Sequence, residues 1–229
     1  MTRTLTGGYE YELVAEANTI ADNIGRANMP QERYNFYLGQ VLTIRAWSYF
    51  YIIRLDGDAP YIIHAEDVGE RGRMAWQDIA DAIIDDLKLA VGYLPRVNDL
   101  RDSEGRMIDS KQVPSRGTAF AIMAQVYAWK AALNNEPELN KLAIAACDSV
   151  IDSGSYALVG SIKDVCERVM LGNSEEGIFE IDYRNTEDDL KSGGSYLAAF
   201  CQSWPIMPNR TPATKRRGLR LDNTTVYKM

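Results

Sequence analysis

The residues that could carry out chemistry are sparse and do not form a recognised catalytic motif. His64 is the only histidine among the 229 residues, and no Ser or Cys in a nucleophile motif lies beside it. The patterns HExxH, GxSxG and GxGxxG and the phosphate-binding P-loop are all missing from the sequence. We therefore interpret His64 as a loop or surface histidine, and we assign the chain no catalytic residue and no cofactor.

Carboxylates are plentiful, but their spacing favours structural roles. A glycosidase needs two carboxyl groups about 5 to 9.5 Å apart, a distance that a sequence does not supply. Asp81 and Asp85 lie one helical turn apart on a polar face, where solvation explains them best. Asp56 and Asp58 flank Gly57 in a predicted turn, and they fall short of the six or more oxygen ligands of a calcium ion. No metal site is predicted.

The three cysteines, Cys147, Cys166 and Cys201, fit neither a disulfide framework nor a CxxC metal pattern. Cys147 shares a helical face with Ala143 and Val150, so the sequence predicts a small buried side chain there. We assign these cysteines no chemistry.

The charge and composition describe a folded, acidic protein. Hydrophobic residues make up 46% of the chain and charged residues 25%, proportions that are typical of globular proteins. The formal net charge of -7 would repel a phosphate backbone, so nucleic acid is not an expected partner. The basic cluster Lys215-Arg216-Arg217, with Arg220, is interpreted as a solvated tail or linker. No apolar run approaches the roughly 20 residues of a membrane-spanning helix, and no hydrophobic signal region follows Met1.

Hydrophobic periodicity predicts five helices. They cover about residues 9–24, 30–55, 76–94, 115–133 and 137–154. Helices that begin near residues 9, 76 and 138 each open a helical hairpin, so the helices are expected to stack in pairs. The sequence thus predicts a mostly all-α fold of tetratricopeptide-like stacked helix pairs, with irregular loops and a short extended segment at residues 177–183. The fourth helix carries a stripe of small residues where another helix could approach closely: Gly117, Ala121, Ala124 and Ala128.

Two regions are expected from the change of character after the fifth helix. Residues 1–160 are predicted to form the helical-repeat core, and residues 161–229 an extended, loop-rich segment that starts a larger region. The residues of the fifth helix that are predicted to face inward are Leu139, Leu142, Ala146, Cys147 and Val150. The third helix pair lacks a clear second member, and a stack usually needs about three repeats. We therefore expect the chain to be part of a longer polypeptide.

Aromatic residues concentrate in the stretch RAWSYFYIIRLDGDAPYI, residues 45–62, which turns at Gly57 and Pro60. Trp47 and Phe50 recur at helical spacing. This spacing favours burial in the core over exposure as a ligand-binding surface. Aromatic rings in loops are better placed to cover the apolar face of a sugar while a polar edge stays in water. The predicted ligand-binding residues are therefore Tyr61, Tyr183, Tyr196 and Trp204.

The overlapping stretch of residues 40–60 resembles the signature LRAWYYFDLVRLFGDVPL of the SusD/RagB family. Members of this family are the surface glycan-binding lipoproteins of Bacteroidetes. Further similar segments follow in the family's order, so that the resemblance covers about residues 9–183. These segments are Leu94-Pro95 and residues 117–132, 143–158 and 173–183. The residues that match the scaffold signature include Arg45, Trp47, Phe50, Arg54, Gly57, Asp58 and Pro60.

The resemblance implies a nonenzymatic nutrient-binding protein on a tetratricopeptide-like scaffold. Family members capture oligosaccharide or polysaccharide at the cell surface and deliver it to a SusC-type TonB-dependent transporter. They are surface-exposed lipoproteins of the outer membrane, held by an N-terminal lipidated cysteine, and that cysteine and its signal are not expected within this chain. The family's glycan-contacting aromatic residues lie in variable loops outside the signature, so no binding residue is transferred by position.

Two other functions remain open from the sequence. Stacked helix pairs commonly bind proteins through a concave face, so a helical-repeat adaptor is the first alternative. The abundance of carboxylates keeps a carbohydrate-active enzyme as the second. Recovery of a TonB-dependent transporter from membranes would favour glycan capture, and recovery of soluble partners alone would favour the adaptor. Sugar release that depends on one carboxylate would favour the enzyme.

Overall fold

Helices dominate the part of the chain that this computed structural model describes, which is residues 8–67 and 69–181. The helices are α1 (Gly8–Asn23), α2 (Gln31–Asp56), α3 (Trp76–Tyr93), α4 (Arg116–Asn134), α5 (Leu139–Ile151) and α6 (Ile162–Glu167). Short 3-10 turns lie at Ile24–Arg26, Val97–Asp99 and Val169–Leu171. Over the described residues there is no β-strand, and the isolated bridges join Ala59 to Met74 and Arg101 to Met107. The predicted all-α fold is therefore confirmed.

Local sequence explains where the long helices begin and end. Pro30 directly precedes α2, in agreement with the preference of proline for a helix start. α3 ends at Tyr93, just before Leu94 and Pro95, because proline cannot continue a helix. At the start of α4, Ser115 Oγ accepts a hydrogen bond from the Thr118 N–H, and Thr118 Oγ1 accepts one from the Ser115 N–H at 3.1 Å. This capping box satisfies backbone donors that a helix start otherwise leaves unpaired.

The helices stack in chain order, each packed against the next from α1 to α5. α2 lies inside this stack and has apolar residues on two faces, so it is buried on both sides. Although α2 is 26 residues long, neither it nor any other described helix is apolar enough to span a membrane. Each fully buried aliphatic or aromatic side chain stabilises the core by about 1.5–3 kcal/mol. The most deeply buried of these include Tyr49, Ile52, Ile79, Ile83, Leu87 and Val126.

The inward face predicted for α5 is partly wrong. Leu142 is 47% exposed, and Cys147 is exposed as well, so the predicted burial of Cys147 is corrected. The inward residues of α5 that are buried are Ala143, Ala146 and Val150. Their spacing of three and four residues leaves Leu142 and Cys147 beside the buried line rather than on it. Cys166 is exposed, and Cys201 lies outside the described residues.

Beyond α5 the described chain is irregular. α6 has only six residues, and residues 177–181 form no strand, while residues 182–183 lie outside the described part. Backbone hydrogen bonds tie this region to what precedes it. The Ala157 N–H donates to Glu175 O at 3.0 Å, and the Glu180 N–H donates to Lys111 O at 2.9 Å. The domain boundary predicted at residue 160 stays a prediction.

Candidate functional site

The loop between α2 and α3 begins with a tight turn built by signature residues. Gly57 has a positive φ of 69°, which other residues disfavour, so glycine suits the point where α2 stops. Asp58 Oδ1 accepts a hydrogen bond from the Trp76 N–H at 3.0 Å and so satisfies a backbone donor at the start of α3. Ala59 and Met74 exchange two backbone hydrogen bonds, of 3.1 and 2.9 Å, which close the base of the loop.

A buried polar cluster, termed the Arg45 cluster, consists of Asn18, Arg45, Tyr49 and Asp86. Arg45 Nε and Nη2 donate to the two carboxylate oxygens of Asp86 at 2.8 and 2.9 Å. Arg45 Nη1 donates to Asn18 Oδ1 at 3.0 Å. The side chains of Arg45 and Asp86 are 9% and 13% exposed, and a two-point contact of this kind is the strong form of ion pair. Because its members come from α1, α2 and α3, the cluster joins three helices at one point.

The Arg45 cluster also holds the loop between α2 and α3. Tyr49 Oη donates to Ile62 O at 2.8 Å and accepts from the Ile62 N–H at 2.7 Å. Asn18 Nδ2 donates to the same carbonyl at 2.9 Å, and Tyr11 Oη donates to Pro60 O at 2.9 Å. A buried backbone group left without a partner costs about 1–3 kcal/mol. These polar side chains therefore fix the path of the loop.

Burial shifts the ionisation of the groups around this loop. Desolvation raises the pKa of Tyr49 to about 12, and it also raises the pKa of Tyr11 and of Tyr61. Burial raises the pKa of the Asp86 carboxyl, and the hydrogen bonds from Arg45 offset part of that rise. The tyrosine hydroxyl groups therefore stay protonated at neutral pH.

The aromatic residues of the signature pack between helices. Phe50 is buried and meets Trp129 of α4 edge to face, with ring centroids 5.8 Å apart. Trp129 also contacts Trp76, at a centroid distance of 4.6 Å. Arg54 covers the Phe50 ring, with its guanidinium carbon 4.5 Å from the ring centroid. The prediction of core packing is confirmed for Phe50, and Trp47 is half-buried against the same core.

The structure describes one of the four predicted ligand-binding aromatic residues. Tyr61 lies in the loop held by the Arg45 cluster and is half-buried, with its ring 4.8 Å from that of Tyr49 and inclined by 52°. The Tyr61 ring therefore packs on the core, while the residue as a whole keeps part of its surface accessible. Tyr183, Tyr196 and Trp204 lie outside the described residues. Ligand binding by these four residues stays a prediction.

The single histidine lies at the surface of the same loop. His64 Nδ1 is 3.0 Å from Asp22 Oδ1, and the Ala65 N–H donates to Asp22 Oδ2 at 2.8 Å. The hydrogen bonds with His64 and Ala65 hold the pKa of Asp22 below its usual range. The side chain of His64 is 64% exposed, which agrees with its interpretation as a surface residue.

Two exposed carboxylates of α3, those of Asp81 and Asp85, pair with lysines. Asp81 forms an ion pair with Lys130 of α4, and Asp85 pairs with Lys88 at 2.9 Å. These contacts agree with the interpretation of both aspartates as residues of a polar helix face. In the portion of the chain that the structure covers, no group of three or more His, Cys, Asp or Glu residues could hold a metal ion.

A second concave feature, termed the Arg96 cleft, lies where the end of α3, the start of α4 and the end of α5 meet. It encloses about 440 Å³. On one side, Tyr156 Oη forms a hydrogen bond with Ser115 Oγ at 3.1 Å, and its ring lies against Gly117. The small residue at Gly117 thus admits the side chain of Tyr156 rather than a helix. Sequence reasoning missed this cleft because three separate segments build it. Its lining includes Val91, Arg96, Arg116, Phe120, Asp152 and Tyr156.

Known families and relatives agree with the sequence resemblance. A SusD-like family described as "Starch-binding associating with outer membrane" matches residues 5–128. SusD-like protein P2 of Formosa agariphila is 25% identical over 195 residues, which cover 82% of this chain and 35% of that protein. SusD-like protein P25 of the same organism is 26% identical over 204 residues, which cover 83% of this chain and 35% of that protein. The chain thus spans about a third of the length of the curated relatives that it matches.

Solved structures share the fold. A SusD superfamily protein from Bacteroides fragilis aligns with a TM-score of 0.66 and 21% identity, over 80% of this chain and 37% of that one. A SusD superfamily protein from Parabacteroides distasonis aligns with a TM-score of 0.57 and 26% identity, over 69% of this chain and 34% of that one. NanU of B. fragilis aligns with a TM-score of 0.62 and 17% identity, over 77% and 34% of the two chains. With more than half of its residues matched by the family and its helices arranged as in these structures, the chain belongs to the SusD-like family.

Proposed function

We propose that this chain is the helical scaffold of a nonenzymatic protein that captures oligosaccharide or polysaccharide at the outer membrane. The observation that carries the proposal is the family match over residues 5–128, whose description names starch binding and association with the outer membrane. That range includes the whole Arg45 cluster and the loop between α2 and α3. The loop segment that Tyr11, Asn18 and Tyr49 hold by hydrogen bonds therefore lies inside the matched region.

The geometry supports a binding role for this loop. Tyr11, Asn18 and Tyr49 make four hydrogen bonds to the backbone of Pro60 and Ile62, so this part of the loop is held in place by the chain's own side chains. A surface that is already ordered loses little conformational entropy on binding. The surface that half-buried Tyr61 keeps accessible could then contact the apolar face of a sugar. We propose Tyr61, Tyr183, Tyr196 and Trp204 as residues that contact the glycan.

The proposal extends to location and partner. We propose a cell-surface lipoprotein of the outer membrane, anchored through a lipidated cysteine outside this chain, as the family resemblance implies. The captured glycan would pass to a SusC-type TonB-dependent transporter. Stacked helices expose extended faces that suit such a lasting protein contact.

Isothermal titration of the 229-residue chain with a panel of oligosaccharides, starch-derived ones included, tests glycan capture. We expect saturable binding and no release of reducing ends. Absence of binding across the panel would contradict the proposal. Sugar release that disappears on substitution of one carboxylate would support an enzyme instead.

Affinity capture from solubilised outer membranes of a Bacteroidetes bacterium tests the partner. A TonB-dependent transporter is expected among the retained proteins. Its retention should be lost with Asp86→Ala, because that change breaks the Arg45 cluster and disturbs the scaffold. Soluble partners alone would support a helical-repeat adaptor.

A further inference from the structure

The Arg96 cleft contains cationic groups without anionic partners. Arg96 is exposed, and its side chain makes no hydrogen bond or ion pair in the described part of the chain. Arg116 is half-buried, and its Nε donates to Leu94 O at 2.9 Å. The terminal nitrogens of Arg116 have no partner among the described residues. Donor groups of both arginines are therefore available to a ligand.

The charges that line the cleft do not cancel. Two guanidinium groups, of Arg96 and Arg116, are accompanied by one carboxylate, that of Asp152. Asp152 is exposed and pairs with neither arginine in the region that the structure describes. The cleft therefore carries a local positive charge on a chain whose formal net charge is -7. A guanidinium is planar and presents paired donors that fit the two oxygens of a carboxylate or a sulfate.

The rest of the lining suits a sugar ring. Val91 and Phe120 supply apolar surface, and Ser155 and Tyr156 supply hydroxyl groups. A pyranose presents an apolar face together with polar edges, so it needs both kinds of contact. The volume of about 440 Å³ lies within the roughly 300–1,000 Å³ of small-molecule pockets.

We infer that the Arg96 cleft binds the carboxylate or sulfate group of an acidic saccharide, with Arg96 and Arg116 as the anion-binding residues. The inference rests on the proposed glycan-binding function and adds to it a ligand class and a second site. That site is separate from Tyr61, because its walls come from α3, α4, α5 and the segments that directly follow α3 and α5, and not from the loop between α2 and α3.

The cleft offers two variants that act in different ways. Arg96→Gln removes an exposed charge that no other described residue uses. Gly92→Leu places an apolar side chain at the lining of the cleft, where a Cβ at Gly92 has no atom within 4 Å. Leucine also favours a helix over glycine, so this variant should stay folded. The matched control is Arg26→Gln, which removes the same charge from an exposed residue whose side chain bonds, among the described residues, only to Asn23.

Isothermal titration of the 229-residue chain and its variants provides the test, with trigalacturonate, a sulfated disaccharide and neutral maltotriose as probes. We expect an acidic probe to bind at least about five-fold more tightly than maltotriose, and more weakly at high salt. Arg96→Gln should weaken acidic binding by roughly ten-fold. Gly92→Leu should abolish it, and Arg26→Gln should leave it unchanged. Circular dichroism melting confirms that each variant is folded.

Three outcomes would overturn the inference and leave the proposed function standing. Equal binding of acidic probes by the unchanged chain, Arg96→Gln and Gly92→Leu would exclude this cleft as the site. Equal affinity for maltotriose and for both acidic probes would exclude the ligand class. Failure of both acidic probes to bind, with neutral glycans still bound, would exclude acidic saccharides altogether. A preference between trigalacturonate and the sulfated probe identifies the anionic group that the cleft accepts.

Discussion

Arg45 of α2 and Asp86 of α3 form a two-point ion pair inside the helix stack, with hydrogen bonds of 2.8 and 2.9 Å. Beside this pair, Asn18 and Tyr49 bind the backbone of Ile62 in the loop that follows α2. The ion pair therefore does more than join two helices, because it also holds the side chains that fix a surface loop. The arginine of the family signature is a scaffold residue that determines where a potential binding surface lies.

Asp86→Ala is expected to destabilise the fold by roughly 3–5 kcal/mol, because it leaves the buried guanidinium of Arg45 without its partner. Urea denaturation followed by circular dichroism measures this loss. The combined change Arg45→Met and Asp86→Leu should recover much of it, since both buried charges are then removed together.

Asp85→Ala is the matched control for this prediction. Asp85 precedes Asp86 in the sequence, is 73% exposed and pairs with Lys88. An exposed ion pair of this kind contributes less than about 1 kcal/mol. Equal losses in Asp85→Ala and Asp86→Ala would contradict a central role for the Arg45 cluster.

The buried hydroxyl of Tyr49 is expected to make the folded chain less stable at alkaline pH. Its ordinary pKa is 10.0, and burial raises the pKa of Tyr49 in the folded chain to about 12. Below pH 10 the hydroxyl is protonated in both the folded and unfolded chain, and its stabilisation is complete. Between about pH 10 and pH 12 the unfolded chain ionises first, so stability falls as pH rises. The full difference corresponds to roughly 2–3 kcal/mol.

Urea denaturation of the unchanged chain and Tyr49→Phe between about pH 9 and pH 11 checks this pH dependence. At neutral pH, Tyr49→Phe should cost roughly 1–3 kcal/mol, because both hydrogen bonds with Ile62 are lost. With rising pH, the variant should lose stability less steeply than the unchanged chain. Parallel slopes would show that Tyr49 does not carry the alkaline transition.

The helices are predictable from the sequence because their signals act over a few neighbouring residues. Apolar periodicity defines the bodies of α2, α3 and α4, while Pro30, Pro95 and Ser115 mark their ends. The prediction failed for α5 at Cys147. In that helix small residues lie on several sides, so periodicity does not decide which of them faces inward.

The Arg45 cluster and the Arg96 cleft are not predictable in this way. Arg45 lies 27 residues from Asn18 and 41 residues from Asp86, so nothing local indicates that they meet. Arginine is also seldom buried, and it becomes so here because Asp86 and Asn18 satisfy its donors. In the Arg96 cleft, Gly117 of α4 likewise contacts Tyr156, which lies in the segment after α5, 39 residues later in the sequence.

Gly117→Ala is expected to disturb the wall of the Arg96 cleft. A Cβ at this position would lie 2.8 Å from Tyr156 Cε2, so the ring must move away from its hydrogen bond with Ser115. Overpacking of this kind costs roughly 1–3 kcal/mol. Thermal unfolding monitored by circular dichroism measures the effect.

Gly92→Ala provides the comparison, since a Cβ at Gly92 meets no atom within 4 Å. This variant should be neutral or more stable by up to about 1 kcal/mol, because alanine favours a helix over glycine. In the background of Tyr156→Ala, Gly117→Ala should lose most of its effect. Additive losses in that double variant would mean that Tyr156 is not the residue that requires glycine.

Tyr61→Phe and Tyr61→Ala separate the packing role of this side chain from ligand binding. The Tyr61 ring packs on Tyr49, whereas its hydroxyl makes no hydrogen bond in the described part of the chain. Tyr61→Phe should therefore preserve both stability and glycan affinity. Tyr61→Ala should lower stability by roughly 1–3 kcal/mol through lost burial, and it should weaken a glycan that stacks on the ring by about five- to ten-fold.

Isothermal titration at a temperature where both Tyr61 variants are fully folded measures these affinities. Tyr51→Ala, at a half-buried tyrosine of α2 whose ring contacts Trp47, tests whether loss of any half-buried tyrosine ring has the same effect. Glycan binding that survives Tyr61→Ala unchanged would make Tyr61 a scaffold residue like Tyr49. The contacting surface would then have to be sought at Tyr183, Tyr196 and Trp204, because these are the other loop aromatics that the sequence predicts to touch a sugar.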